Sequence, residues 1–308
     1  MPPSTVVPML QQLLAHYIQS AGAAHARGDH GAAKEWCGHA IRMAPDMPEA
    51  WFSLGLALRG LNHATEAVKA FVKAGTLTQR SAEAQNSIGV QLLELGADAD
   101  AEKCLNRSIE LAPTYAFAHS NLGRLRDRQG RLEEADACFR KAIELQPDLA
   151  PLHANLGGVL IARNDFTGAQ AACQRAVELG PALPDGWRNL GIALGELKRF
   201  PEAEAAYRTA IELEPASPEA WSNLGNLLTE ASRLEEAEAA YRGARVLGLP
   251  APRVEPYRAE LAFLRRDFDE VREIIEHLDN WQGLSRLQPV VHLWSRKARE
   301  SRQASTTP

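Results

Sequence analysis

The chain has 308 residues, 45% hydrophobic and 24% charged, with a formal net charge of −5. That balance belongs to a folded body and not to a disordered chain. It offers no basic excess for nucleic acid, and no apolar run approaches the roughly 20 residues that cross a bilayer.

Residues 1–13 read as an N-terminal segment. Met1 to Gln12 holds three prolines and no basic stretch of the kind that opens a secretory signal, so a cytoplasmic protein is expected. From Leu14 to Ala251 one register of thirty-four residues then runs seven times without insertion or deletion. Small residues recur as Ala21, Gly55, Gly89, Gly123, Gly157, Gly191 and Gly225. A second column reads Ala33, Ala67, Ala101, Ala135, Ala169, Ala203 and Ala237, and a third runs from Ala40 to Ala244 with Ser108 in its midst. Such spacing predicts a solenoid, whose units bury their apolar faces only against their neighbours.

Within each copy the apolar residues fall three and four apart, as in Trp187, Leu190, Gly191 and Leu194, then Phe200, Ala203, Tyr207, Ala210 and Ile211. This predicts two amphipathic helices per copy. Between them stand Gly28, Asn62, Gly96, Gly130 and Asn164, residue types that tolerate the left-handed conformation ending a helix. Lys198 and Ser232 break that column and predict looser turns there. Acidic pairs such as Glu133–Glu134 open the second helix, where they complement its dipole. Pro45, Pro113, Pro147, Pro181 and Pro215 stop it, whereas Gln79 departs from that column.

The pattern W-x-x-L-G-x-x-L at Trp187–Leu194 and Trp221–Leu228, then A-x-x-x-Y and the closing proline, resembles the tetratricopeptide repeat. The resemblance implies an all-α, right-handed superhelical solenoid of helix–turn–helix pairs, with first helices lining a concave side. Arg126 stands where other copies have Leu58, Leu92, Leu160, Leu194 and Leu228, and reads either as a snorkelling side chain or as a softened stack. Cys37, Cys104, Cys138 and Cys173 lie on inner columns and read as packed thiols in a reducing compartment.

After the repeats, residues 252–280 read as a degenerate eighth helix pair, and residues 281–308 as a capping helix with a tail. That last helix is apolar on one face and basic beyond it, so docking to a partner stays open beside capping.

One column points to function: Asn121, Asn155, Asn189 and Asn223, each two residues after the packing position of His119, His153, Trp187 and Trp221. Two residues turn a helix by about 200°, which places the amides opposite the packing face. Helix propensity does not favour asparagine, but its amide can pair with both polar groups of a peptide backbone. The column is similar to the asparagine ladder in the repeat region of O-linked N-acetylglucosamine transferases, which implies substrates held by their main chains. Asn226, Arg124 and Arg128 stand on the same face and would tune the groove, basic in the fourth copy. Glu196, Glu219 and Glu230 make the later copies acidic. Asp185 and Glu219 stand where the family's clamp for acidic chain termini has lysine, which disfavours that ligand.

No phosphate-cradling loop and no Cys-x-x-Cys pair occurs. His119 and His153 lack acidic or thiol partners at ligand spacing, so neither metal, cofactor nor catalysis is expected. The expected partner is a protein or extended peptide in the concave groove of a non-catalytic adaptor. The alternative is a substrate-presenting partner of a separate glycosyltransferase or other protein-modifying enzyme. Self-association through the solenoid ends stays open as a third role.

Overall fold

The computed structural model describes residues 3–248, with side chains from residue 9 onward. These residues form fourteen α-helices and no strand. The chain divides into two compact units between Asn155 and Leu156. The first holds α1 (Pro3–Ala26), α2 (His30–Met43), α3 (Pro48–Gly60), α4 (Ala64–Leu77), α5 (Ala82–Glu94), α6 (Asp98–Leu111), α7 (Ala116–Arg128) and α8 (Leu132–Leu145). The division falls inside α9 (Ala150–Ala162). The second unit continues with α10 (Phe166–Leu179), α11 (Pro184–Glu196), α12 (Phe200–Leu213), α13 (Pro218–Glu230) and α14 (Leu234–Val246).

Helix α1 opens at Pro3, ahead of the register at Leu14, so the lead-in stretch is continuous with the first copy's helix. The expected eighth helix pair at 252–280 and the capping helix at 281–308 lie outside the described residues.

Five glycines of the small column lie under a large side chain of the partner helix, and the sixth, Gly157, lies under Cys173. In the first unit Gly55 receives Phe71, Gly89 receives Leu105 and Gly123 receives Phe139; in the second, Gly191 receives Tyr207 and Gly225 receives Tyr241. A Cβ at Gly191 would sit 2.7 Å from the Tyr207 ring, closer than real atoms approach. The glycine therefore fixes how near the two helices lie. Where the register has Ala21 instead, the corresponding residue of the second helix is Cys37.

The hairpin turns all close the same way. Gly28, Asn62, Gly96, Gly130, Asn164, Lys198 and Ser232 take positive φ between 59° and 78°. The expectation of looser turns at Lys198 and Ser232 is thus corrected. Lys198 N–H reaches Gly195 O at 2.9 Å and Arg199 N–H reaches Leu194 O at 2.9 Å, the same distances found at Asn62 and His63. Packing of the two helices dictates the turn, and the side chain accepts the strain.

Arg126 is neither snorkelling nor a softening. It is buried (7% exposed) and bonds Glu102 on α6 at 2.6 Å, with Glu134 on α8 at 3.3 Å. It ties successive second helices together by charge where leucine would use volume. In the second unit Glu204 on α12 does similar work, bonding Arg208 at 2.8 Å and Arg233 just before α14.

Candidate functional site

The packing column opposite the asparagines carries a task beyond packing. Trp51 Nε1 donates to Pro45 O at 2.7 Å, Trp187 Nε1 to Pro181 O at 2.8 Å and Trp221 Nε1 to Pro215 O at 3.1 Å. His119 Nε2 meets Pro113 O at 2.8 Å and His153 Nε2 meets Pro147 O at 2.7 Å. A carbonyl only accepts, so both imidazoles carry a proton on Nε2. Tryptophan and histidine interchange here because each offers a ring N–H at the reach needed to anchor the preceding proline turn. Where Gln79 replaces the preceding proline, Gln85 donates instead to Gly75 O at 2.9 Å and to Thr78 O. The spacing of six residues between ring and proline was visible in the sequence, but the bond was not.

The asparagines follow on the same first helices, all four half-buried. In the first unit Asn121 on α7 donates Nδ2 to Oδ1 of the buried Asn86 on α5 at 2.8 Å. Its own Oδ1 accepts from Arg124 Nη1 at 3.4 Å. An amide has two N–H donors and two acceptor lone pairs, so Asn121 keeps one of each after these bonds. Asn155 stands on α9. In the second unit Asn189 on α11 lies against Gly158, whose Cβ position is 3.6 Å from Asn189 Nδ2. Asn223 occupies the same place on α13.

The neighbours divide. Arg124 is exposed and turned to the Asn121 amide. Arg128 is tied to Leu93 O and to the Asp98 carboxylate of the preceding copy, which neutralises its charge. Asn226 accepts from Tyr241 Oη at 2.8 Å, so its carbonyl serves the helix pair. Glu230 pairs with Lys198 at 2.9 Å. Sequence reasoning missed Asn86, which lies one residue off the asparagine column, and the exposed Phe117 on α7.

The cysteines are free thiols; Cys37, Cys104 and Cys173 are buried and Cys138 half-buried. Burial pushes the first two up to about 11 and Cys173 up to about 12. They are protonated near neutrality and poor nucleophiles. Among the described residues no group of three His, Cys, Asp or Glu could hold a metal ion, and no helix is long and apolar enough to cross a membrane.

Residues 23–76 match the family model of the tetratricopeptide repeat. The chain carries tetratricopeptide repeats. Residues 112–260 also match the model of the cilia and flagella-associated protein 70 C-terminal domain. No curated protein gives a significant sequence match. Among solved structures, the repeats are similar to PilF of Pseudomonas aeruginosa, at 22% identity and a TM-score of 0.58, over 71% of this chain and 97% of that one. They are similar to PilW, a type IV pilus biogenesis factor, at 20% identity and a TM-score of 0.62, over 68% and 98%. Yeast Tom70 matches at 20% identity and a TM-score of 0.57, over 88% of this chain and 58% of that one. At these identities the likeness is one of fold.

Proposed function

We propose that this chain is a non-catalytic adaptor that holds an extended stretch of a partner protein along its first helices. The supporting observation is the half-buried carboxamide that recurs in register, at Asn121 and Asn155 in the first unit and at Asn189 and Asn223 in the second. An amide such as that of Asn121, with one donor and one acceptor site to spare, suits a peptide main chain, whatever its side chains. Asn86 orients the Asn121 amide in advance, which lowers the entropy lost on binding. Arg124, free of any carboxylate partner in the fourth copy, favours an acidic residue beside that position. Each net hydrogen bond contributes about 0.5–1.5 kcal/mol, so useful affinity needs both stretches or added side-chain contacts.

The test starts from a partner captured by the intact chain. Replacing Asn155 and Asn223 by alanine weakens its binding roughly tenfold or more, on the scale of about 1 kcal/mol per lost bond, with the melting temperature nearly unchanged. Unaltered affinity in this double variant sinks the ladder. Asn121 is kept out of the set because its removal strands the buried Asn86 amide, at a stability cost of about 1–3 kcal/mol.

A further inference from the structure

A pocket of about 260 Å³ opens in the first unit between α4, α5 and α6. Its walls include Val72 and Gly75 of α4, Gln85 of α5 and Cys104 of α6, and Asp100, Lys103 and Arg107 form its rim. None of the groove asparagines lines it. The register explains why it exists. Gly75 occupies a column held by Ile41, Ile109, Ile143, Val177 and Ile211, and by Arg245 in the last copy. Two of those side chains help fill the stack: Ile211, like Trp221, packs against the second unit's core, and Ile109, like Cys138, against the first unit's. Here the aliphatic chain is missing, and the facing ring is replaced by the slimmer Gln85. Cys104 Sγ and an Ile88 methyl border the vacated position, and the rest of the slot stays open.

The polar groups around the slot are already satisfied. Gln85 is bonded to Gly75 O and Thr78 O, Lys103 to Asp100 at 2.8 Å, and Arg107 to Glu110 at 2.9 Å. Little is left to orient a charged ligand, and the volume falls below the range of about 300–1,000 Å³ usual for small-molecule sites. What the slot lacks is one branched aliphatic side chain. We propose that this pocket is a second binding site, distinct from the first-helix groove, which accepts an isoleucine-like side chain from a partner polypeptide. The incoming residue would complete the packing that the other copies complete from within.

The experiment uses the full chain and methyl-labelled NMR, with N-acetyl-isoleucine methylamide as probe and N-acetyl-glycine methylamide as control. The isoleucine probe gives saturable shifts at the Val72 methyls and at the adjacent Ile88, and the glycine probe gives none. Gly75→Ile fills the slot from within, abolishes those shifts and raises the melting temperature. A Cβ at Gly75 would lie 3.0 Å from Cys104 Sγ, so Gly75→Ile/Cys104→Ala serves as a second filled variant. It reproduces the residue types that the register places here in the second unit, Ile211 and Ala240. Absence of a saturable shift at Val72, an equal response to the glycine probe, or shifts that persist in the filled variants overturns the proposal. None of these outcomes depends on the asparagine ladder.

Discussion

The slot behind Gly75 in the first unit and the slot behind Ile211 in the second occupy the same place in the register and solve it differently. In the second, Ile211 and Trp221 fill the space while the indole N–H holds Pro215 O at 3.1 Å. In the first, Gln85 makes the corresponding bonds to the turn, to Gly75 O and Thr78 O, but the volume is not replaced. The turn is anchored in both places; only one is full. The repeat thus separates two requirements, since an amide meets the hydrogen-bonding one as well as an indole and cannot meet the packing one.

Replacing the anchor in each slot tests that separation. Trp221→Ala removes both functions and costs about 3 kcal/mol, the low end for tryptophan because the side chain is only half-buried. Gln85→Ala removes hydrogen bonds from a slot already underfilled and costs about 1–2 kcal/mol. Urea denaturation of both variants measures the difference, and equal losses would mean that volume is not what distinguishes the slots.

The turns allow a finer comparison of the same kind, between copies whose left-handed residue is glycine and those where it is not. Ser232 takes φ of 59° where Gly130 takes 73°. Ser232→Gly relieves the strain of a side chain in that region and stabilises by about 1 kcal/mol. Lys198→Gly gains less, because Lys198 also pairs with Glu230 and lies over the Phe200 ring. A fall in the melting temperature of Ser232→Gly would contradict the strain.

The smallest effect concerns the first copies. His25 Nδ1 and His30 Nδ1 lie 3.1 Å apart across the α1–α2 hairpin. Burial, then His30 and Arg59, lowers the His25 pKa from its ordinary 6.5. A lowered folded-state value means that the unfolded chain binds the proton more readily. The hairpin is therefore fully stable above pH 6.5 and loses stability as pH falls toward the folded-state value. His25→Asn flattens that dependence in pH-dependent thermal melts. An unchanged slope would remove the pair as its source.

Much of the architecture was legible in the chain, and for a simple reason. Helices a few turns long, stacked on their sequence neighbours, leave their packing as periodic columns of Gly, Ala and Leu, and the turn and proline columns mark where each helix stops. The candidate site was legible only as a column. That Asn121 would engage Asn86, that Arg128 would turn back onto Asp98, and that Asn226 would serve Tyr241 depends on side chains from neighbouring helices, which share no fixed sequence spacing.

By itself the sequence determined the repeat length, the pairing of helices and the residues facing each way, because these follow from local periodicity. Tertiary structure alone decided that Lys198 and Ser232 would accept a left-handed backbone, that Arg126 would be buried between two carboxylates, and that the loss at Gly75 would stay open as a pocket. Each of these turns on whether neighbouring helices close over a local departure or leave it standing, and that balance of strain, charge and volume is settled only when the helices meet.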